Sequence, residues 1–123
     1  MATLVVTAGP NRGQSFPLEE SRLVSVGRDD QCTVQLLDDQ VSRRHLQIRF
    51  DEDEDQHYAV DMRSANGVYV NGGRITEDRP LEEGDIIQIG VSELRFTHDD
   101  VTDIDMALEQ YRKKDEWKRG TSF

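Results

Sequence analysis

A chain of 123 residues suffices for one domain with its own core. Its formal net charge of −10 argues against nucleic acid and against an anionic membrane surface, since both call for clustered Lys and Arg. With Cys32 as its one cysteine, no intrachain disulfide can form, and no apolar run approaches the ~20 residues of a membrane span, so the chain reads as a soluble, cytoplasmic protein.

In chain order, Thr3 to Thr7 is a β-branched run that ends at the turn cluster Gly9-Pro10-Asn11-Arg12-Gly13. Gln14 to Leu18 and Arg22 to Val26 follow as strands, the second with Val24 and Val26 facing inward around Ser25. Thr33 to Leu37 is another. His45 to Phe50 alternates cleanly, with Leu46, Ile48 and Phe50 on one face, and Tyr58, Val60 and Met62 alternate in the next strand. Val68 to Val70 and Gly73 to Ile75 flank Asn71-Gly72, a strong hairpin signal because both central residues need positive φ. Asp85 to Ile89 and Ser92 to Thr97 form a last pair around Gly90. Short strands with such regular punctuation predict an all-β sandwich. Pro17 and Pro80 suit strand edges or turns.

The acidic run Asp51 to Asp55 reads as a solvated hairpin loop, without the glycine and spaced oxygen ligands of a calcium loop. No metal site and no cofactor are expected. Beyond the strand region, taken as residues 1–100, Val101, Ile104, Leu108 and Tyr111 fall at helical spacing. An amphipathic helix over 102–117 is expected, within a segment 101–118 that packs on the domain or on a partner, followed by a frayed tail, 119–123. Every basic residue before residue 100 is an arginine, and the lysines are confined to 113–118.

Three short motifs carry chemistry: V-G-R at 26–28, V-S-R-R-H at 41–45 and S-A-N-G-V-Y-V-N-G at 64–72. They place Arg28, Ser42, Arg43 and Asn66 at turns of a strand scaffold, where one sheet edge can gather them into a polar socket for an oxyanion. An arginine fork meets two phosphate oxygens at once. A serine hydroxyl donates to a third, or caps its own turn instead. Ser42 lies close to His45, but a serine–histidine pair without an orienting carboxylate and an oxyanion hole is not a catalytic site.

Together these motifs resemble the forkhead-associated (FHA) domain, a reader of phosphothreonine peptides, over roughly residues 3–98. The resemblance implies a twisted β-sandwich of about eleven strands, of the FHA/SMAD-like kind. It implies phosphate contact for Arg28, Ser42 and Arg43. It places Ser64 and Asn66 on a second loop that holds the peptide backbone, and gives Gly27, His45 and Gly67 supporting roles. The hydroxyl that many members carry at the position of Ala65 is missing here. Arg63 beside that loop either meets residues after the phosphothreonine or pairs with Asp61 or the acidic loop. The expected partner is a protein carrying phosphothreonine, supplied by an upstream Ser/Thr kinase. The alternative is a phospho-independent scaffold or oligomer subunit of the same fold with an idle phosphate site. A further variant has a phosphorylated tail threonine, Thr102 or Thr121, filling the socket from within the chain.

Overall fold

The computed structural model describes residues 2–19 and 23–98. Eleven strands run in chain order: β1 (Ala2–Ala8), β2 (Ser15–Leu18), β3 (Val24–Gly27), β4 (Val34–Gln35), β5 (Leu46–Asp51), β6 (Gln56–Asp61), β7 (Tyr69–Val70), β8 (Gly73–Arg74), β9 (Arg79–Pro80), β10 (Ile86–Ile89) and β11 (Ser92–Thr97). They form a six-stranded sheet in the order β2-β1-β11-β10-β7-β8 and a five-stranded sheet in the order β4-β3-β5-β6-β9. All pairings are antiparallel except β3 with β4. The expected helix over 102–117, the 119–123 tail, Thr102 and Thr121 lie outside the described residues.

The core lies between the sheets. One sheet contributes Leu4, Val6, Ile87, Ile89, Leu94 and Phe96; the other contributes Val24, Val26, Leu46, Ile48 and Ala59. Burying each large side chain stabilises the fold by roughly 1.5–3 kcal/mol. Pro17 sits on the edge strand β2 and Pro80 on the edge strand β9, where a missing N–H breaks no ladder. The Asn71-Gly72 hairpin forms as its sequence dictates, with φ of 51° and 87°.

β6 departs from the expected alternation. Pairing of Ile48 with Ala59 and of Phe50 with His57 fixes its register. Directly opposed residues share a face, so His57 and Ala59 turn inward, while Tyr58 and Val60 are only half-buried and Met62 is exposed. The His57 ring lies 4.7 Å from that of Phe50 and 5.4 Å from that of Phe96, filling a place that alternation alone would give to an aliphatic side chain. The Thr33–Leu37 strand shrinks to β4, because only Val34 and Gln35 meet partners on β3.

Candidate functional site

The strand order delivers the three motifs to one end of the sandwich. β3 exits there through Gly27 and Arg28, the loop of residues 36–45 enters β5 there, and β6 leaves there into residues 62–68. The first two meet backbone to backbone. The Arg28 amide donates to Ser42 O at 3.1 Å, the Asp29 amide to Arg43 O at 3.1 Å, and the His45 amide to Val26 O at 3.0 Å. This approach requires Gly27, since a Cβ there would lie 2.1 Å from Arg43 O.

Arg28 is exposed. Its Nε donates to Val41 O at 3.1 Å, which fixes the plane of the guanidinium. It makes no ion pair with a described residue, neither with Asp29 nor with Asp30, which follow it in the chain. Asp29 is occupied otherwise. Its carboxylate accepts the Gln31 amide at 3.0 Å, and that bond, helped by Asp30 and by the charges of Arg44 and Arg43, holds its pKa below the usual value against the smaller cost of burial.

Ser42 does not cap its own turn. Its Oγ accepts the Ala65 amide at 3.1 Å and so ties the two recognition loops together. An oxygen that accepts there keeps its own proton to donate. The Ser42 amide donates to His45 Nδ1 at 3.0 Å, and His45 Nε2 lies 2.7 Å from Gly67 O. A carbonyl can only accept, so the proton sits on Nε2 and the ring is a fully buried brace between the loops.

Asn66 is exposed, and its Nδ2 donates to Gln40 O at 2.8 Å. That bond settles which way the amide faces and leaves one amide hydrogen and Oδ1 turned to solvent. Ser64 serves its own loop, with its Oγ accepting the Gly67 amide at 3.0 Å and its amide donating to Asp61 at 3.0 Å. Gly67 has φ of +84°, and the Arg74 guanidinium packs so close that a Cβ would meet Nε at 2.9 Å. Arg43, Arg44 and Arg63 are exposed. Arg63 adopts φ of 58° and makes no ion pair with a described residue, neither with Asp61 nor with the acidic loop. Beside it lies an open cleft of about 550 Å³ between Asp61, Arg63, Arg74, Ile75 and Glu77.

The geometry brings together Gly27, Arg28, Ser42, Arg43, His45, Ser64, Asn66 and Gly67. It also reveals residues that the sequence reading passed over: Gln40, whose carbonyl orients Asn66; Arg74, which roofs Gly67; and Asn11, whose Oδ1 accepts the Leu37 amide at 2.8 Å. Asn11 stood within a recognised turn cluster, but nothing in its neighbourhood pointed across 26 residues to Leu37. Among the described residues no cluster of His, Cys, Asp and Glu could hold a metal ion, and no helix is long and apolar enough to cross a membrane. Chemically, the end of the sandwich offers a guanidinium and a hydroxyl as donors, with an amide side chain beside them.

Comparison with known proteins agrees with this geometry. The family model of the FHA domain matches residues 24–90. Among curated relatives, the glycogen accumulation regulator GarA of Mycobacterium tuberculosis is 40% identical over 95 residues, covering 77% of this chain and 56% of its own length. The oxoglutarate dehydrogenase inhibitor of Corynebacterium efficiens is 41% identical over 95 residues, covering 77% and 64%. The chain thus spans less than two thirds of these relatives. Among solved structures, an FHA domain analysed for phosphothreonine-dependent interactions superimposes with a TM-score of 0.70 at 32% identity, covering 81% of this chain and 98% of that one. The FHA domain of the CT664 protein from Chlamydia trachomatis gives 0.74 at 28% identity, covering 80% and 98%. A further FHA domain, that of FhaA complexed with the intracellular domain of Rv3910, gives 0.69 at 32% identity, covering 78% and 99%. With the strand order, the braced loops and the family match in agreement, this chain belongs to the forkhead-associated (FHA) domain family.

Proposed function

We propose that this domain is a non-catalytic reader of phosphothreonine in partner proteins. The observation that carries this reading is the pairing of two donors across two loops: a guanidinium that, among the described residues, is held through its Nε alone, and a hydroxyl whose oxygen accepts the Ala65 amide. Phosphothreonine brings about −1.5 to −2 charges and three acceptor oxygens at pH 7. Arg28 and Ser42 hold those oxygens, and Arg43 adds a second cation at the rim. Asn66 clamps the peptide backbone with the half of its amide that Gln40 does not use, on a loop that Ser64 keeps in shape. The cleft beside Arg63 and Arg74 receives residues that follow the phosphothreonine.

The Ser42–His45 geometry supports binding over catalysis. His45 Nδ1 accepts the Ser42 amide, not its hydroxyl, and Nε2 is spent on Gly67 O. No ring nitrogen is left to take the hydroxyl proton. A Ser/Thr kinase acts upstream by making the ligand. Relatives named as a regulator and an inhibitor support a role in holding and controlling other proteins.

Calorimetry with a peptide chosen from an oriented phosphothreonine library tests this reading. The phosphorylated peptide binds, its plain twin does not, and Ser42→Ala loses about 1.5–3 kcal/mol, the range for a hydrogen bond to a charged group. Equal binding of both peptides would contradict the reading and favour a phospho-independent scaffold.

A further inference from the structure

The loop of residues 36–45 carries Gln40, Ser42 and Arg43, and it leads into the five-stranded sheet. One of its anchors lies on the other sheet. Asp38 is 2% exposed. Its Oδ2 accepts the Ser92 hydroxyl at 2.7 Å and the Val91 amide at 2.9 Å, both at the turn between β10 and β11. Its Oδ1 accepts the Gln40 amide at 2.9 Å, and its carbonyl accepts the Val41 amide at 3.0 Å. The turn presses so closely on this carboxylate that a Cβ at Gly90 would lie 2.8 Å from Oδ2.

The consequence runs through one peptide plane. The Val41 N–H and the Gln40 C=O belong to the same planar unit and point in opposite directions. The Val41 N–H is held on the main-chain carbonyl of Asp38, a residue that its carboxylate pins to Gln40 and to the β10–β11 turn, so the Gln40 carbonyl is aimed the other way, where it accepts Asn66 Nδ2 at 2.8 Å. An acceptor fixed there admits only the NH2 side of the Asn66 amide, so Oδ1 must face outward. We propose that Asp38 is a positioning residue for phosphopeptide binding: it clips the recognition loop to the β10–β11 turn and thereby fixes the orientation of Asn66. Burial pushes its carboxyl up, but the Ser92 hydroxyl and the amides of Gln40, Val91 and Ser92 outweigh burial and hold it below the usual carboxylate value. Charged, it accepts these bonds on both oxygens at once; an amide in its place has one oxygen fewer to offer.

This role runs through Asn66 and so rests on the proposed site. Four proteins separate the two: wild type, Asp38→Asn, Asn66→Ala and the double variant, each titrated with the same library-selected phosphothreonine peptide and its plain twin. Asp38→Asn weakens phosphopeptide binding about tenfold in the wild-type background and less than about twofold on top of Asn66→Ala, because coupled neighbours are non-additive. In the free protein, the side-chain NH2 resonances of Asn66 shift in Asp38→Asn. Equal losses in both backgrounds, unmoved Asn66 resonances, or unchanged affinity in a folded Asp38→Asn overturn the role. Wild-type affinity in Asn66→Ala removes Asn66 from the site and Asp38's role with it; Arg28→Ala then reports separately on whether the phosphate is still read. Should Asp38→Asn not fold, Ser92→Ala replaces it in the same cycle, removing one donor, with a loss of about threefold that disappears on Asn66→Ala. Equal Ser92→Ala losses in the two backgrounds count against Asp38.

Discussion

Two loops at opposite ends of the sandwich are built on different principles. The acidic loop between β5 and β6 closes on itself: Asp51 Oδ1 accepts the Asp53 and Glu54 amides, and the Tyr58 hydroxyl donates to Glu54, all within four residues of sequence. The loop of residues 36–45 has bonds of its own, but distant parts of the chain hold it as well. Asn11 reaches it across 26 residues, Ala65 across 23, Asn66 across 26, and Ser92 across 54. The first loop only turns the chain around. The second is a surface whose shape the whole fold determines, which suits a site that must hold donors at fixed positions before a ligand arrives.

This contrast predicts unequal sensitivity. The largest effect belongs to His45→Ala, which empties a fully buried position and strands the Ser42 amide and the Gly67 carbonyl. Stability falls by about 3–5 kcal/mol in urea titration, and phosphopeptide affinity falls with it. A loss below about 1 kcal/mol would mean that the ring braces nothing.

Acid produces an intermediate effect at the long-range contacts. Asp38 and Glu83 are both partly pushed up by burial, yet their hydrogen bonds prevail and hold both below their ordinary values. For Glu83 those bonds come from the Thr97 hydroxyl and from His98. A lowered folded-state pKa gives stability that is fully present above the unfolded value of about 4 and is lost as pH falls through the folded one. Melting temperature therefore drops as pH is taken below about 4, and Asp38→Asn removes part of that drop. A melting curve that ignores pH over this window would contradict the assignment.

The smallest effect lies in the acidic loop. Asp53→Ala changes stability by no more than about 0.5 kcal/mol in either direction, as expected for an exposed site whose side chain makes no hydrogen bond or ion pair with a described residue. Phosphopeptide affinity stays at the wild-type value. A tenfold change in affinity would show the two ends to be coupled.

The same contrast explains what sequence could teach. Alternation in β5 and the punctuation around Asn71-Gly72 are local, and both were legible. The motif residues Arg28, Ser42 and Asn66 were legible as a constellation through family resemblance, because their order along the chain is distinctive. Asp38, Gln40 and Arg74 were not, since their significance comes from bonds and contacts that no local spacing announces. The inward turn of His57 was hidden for a related reason: the register with β5 overrides its polarity. The bond from the Gly67 amide to Ser64 Oγ was not legible either; it ties the loop together and leaves the Ser64 hydroxyl proton to donate.

The most direct measurement is calorimetric titration of wild type and Arg28→Ala with one phosphothreonine peptide and its plain counterpart. The guanidinium–hydroxyl socket predicts that only the phosphorylated peptide binds wild type, and that Arg28→Ala loses about 2–5 kcal/mol while melting as wild type does. Undiminished phosphopeptide affinity in a folded Arg28→Ala would contradict it.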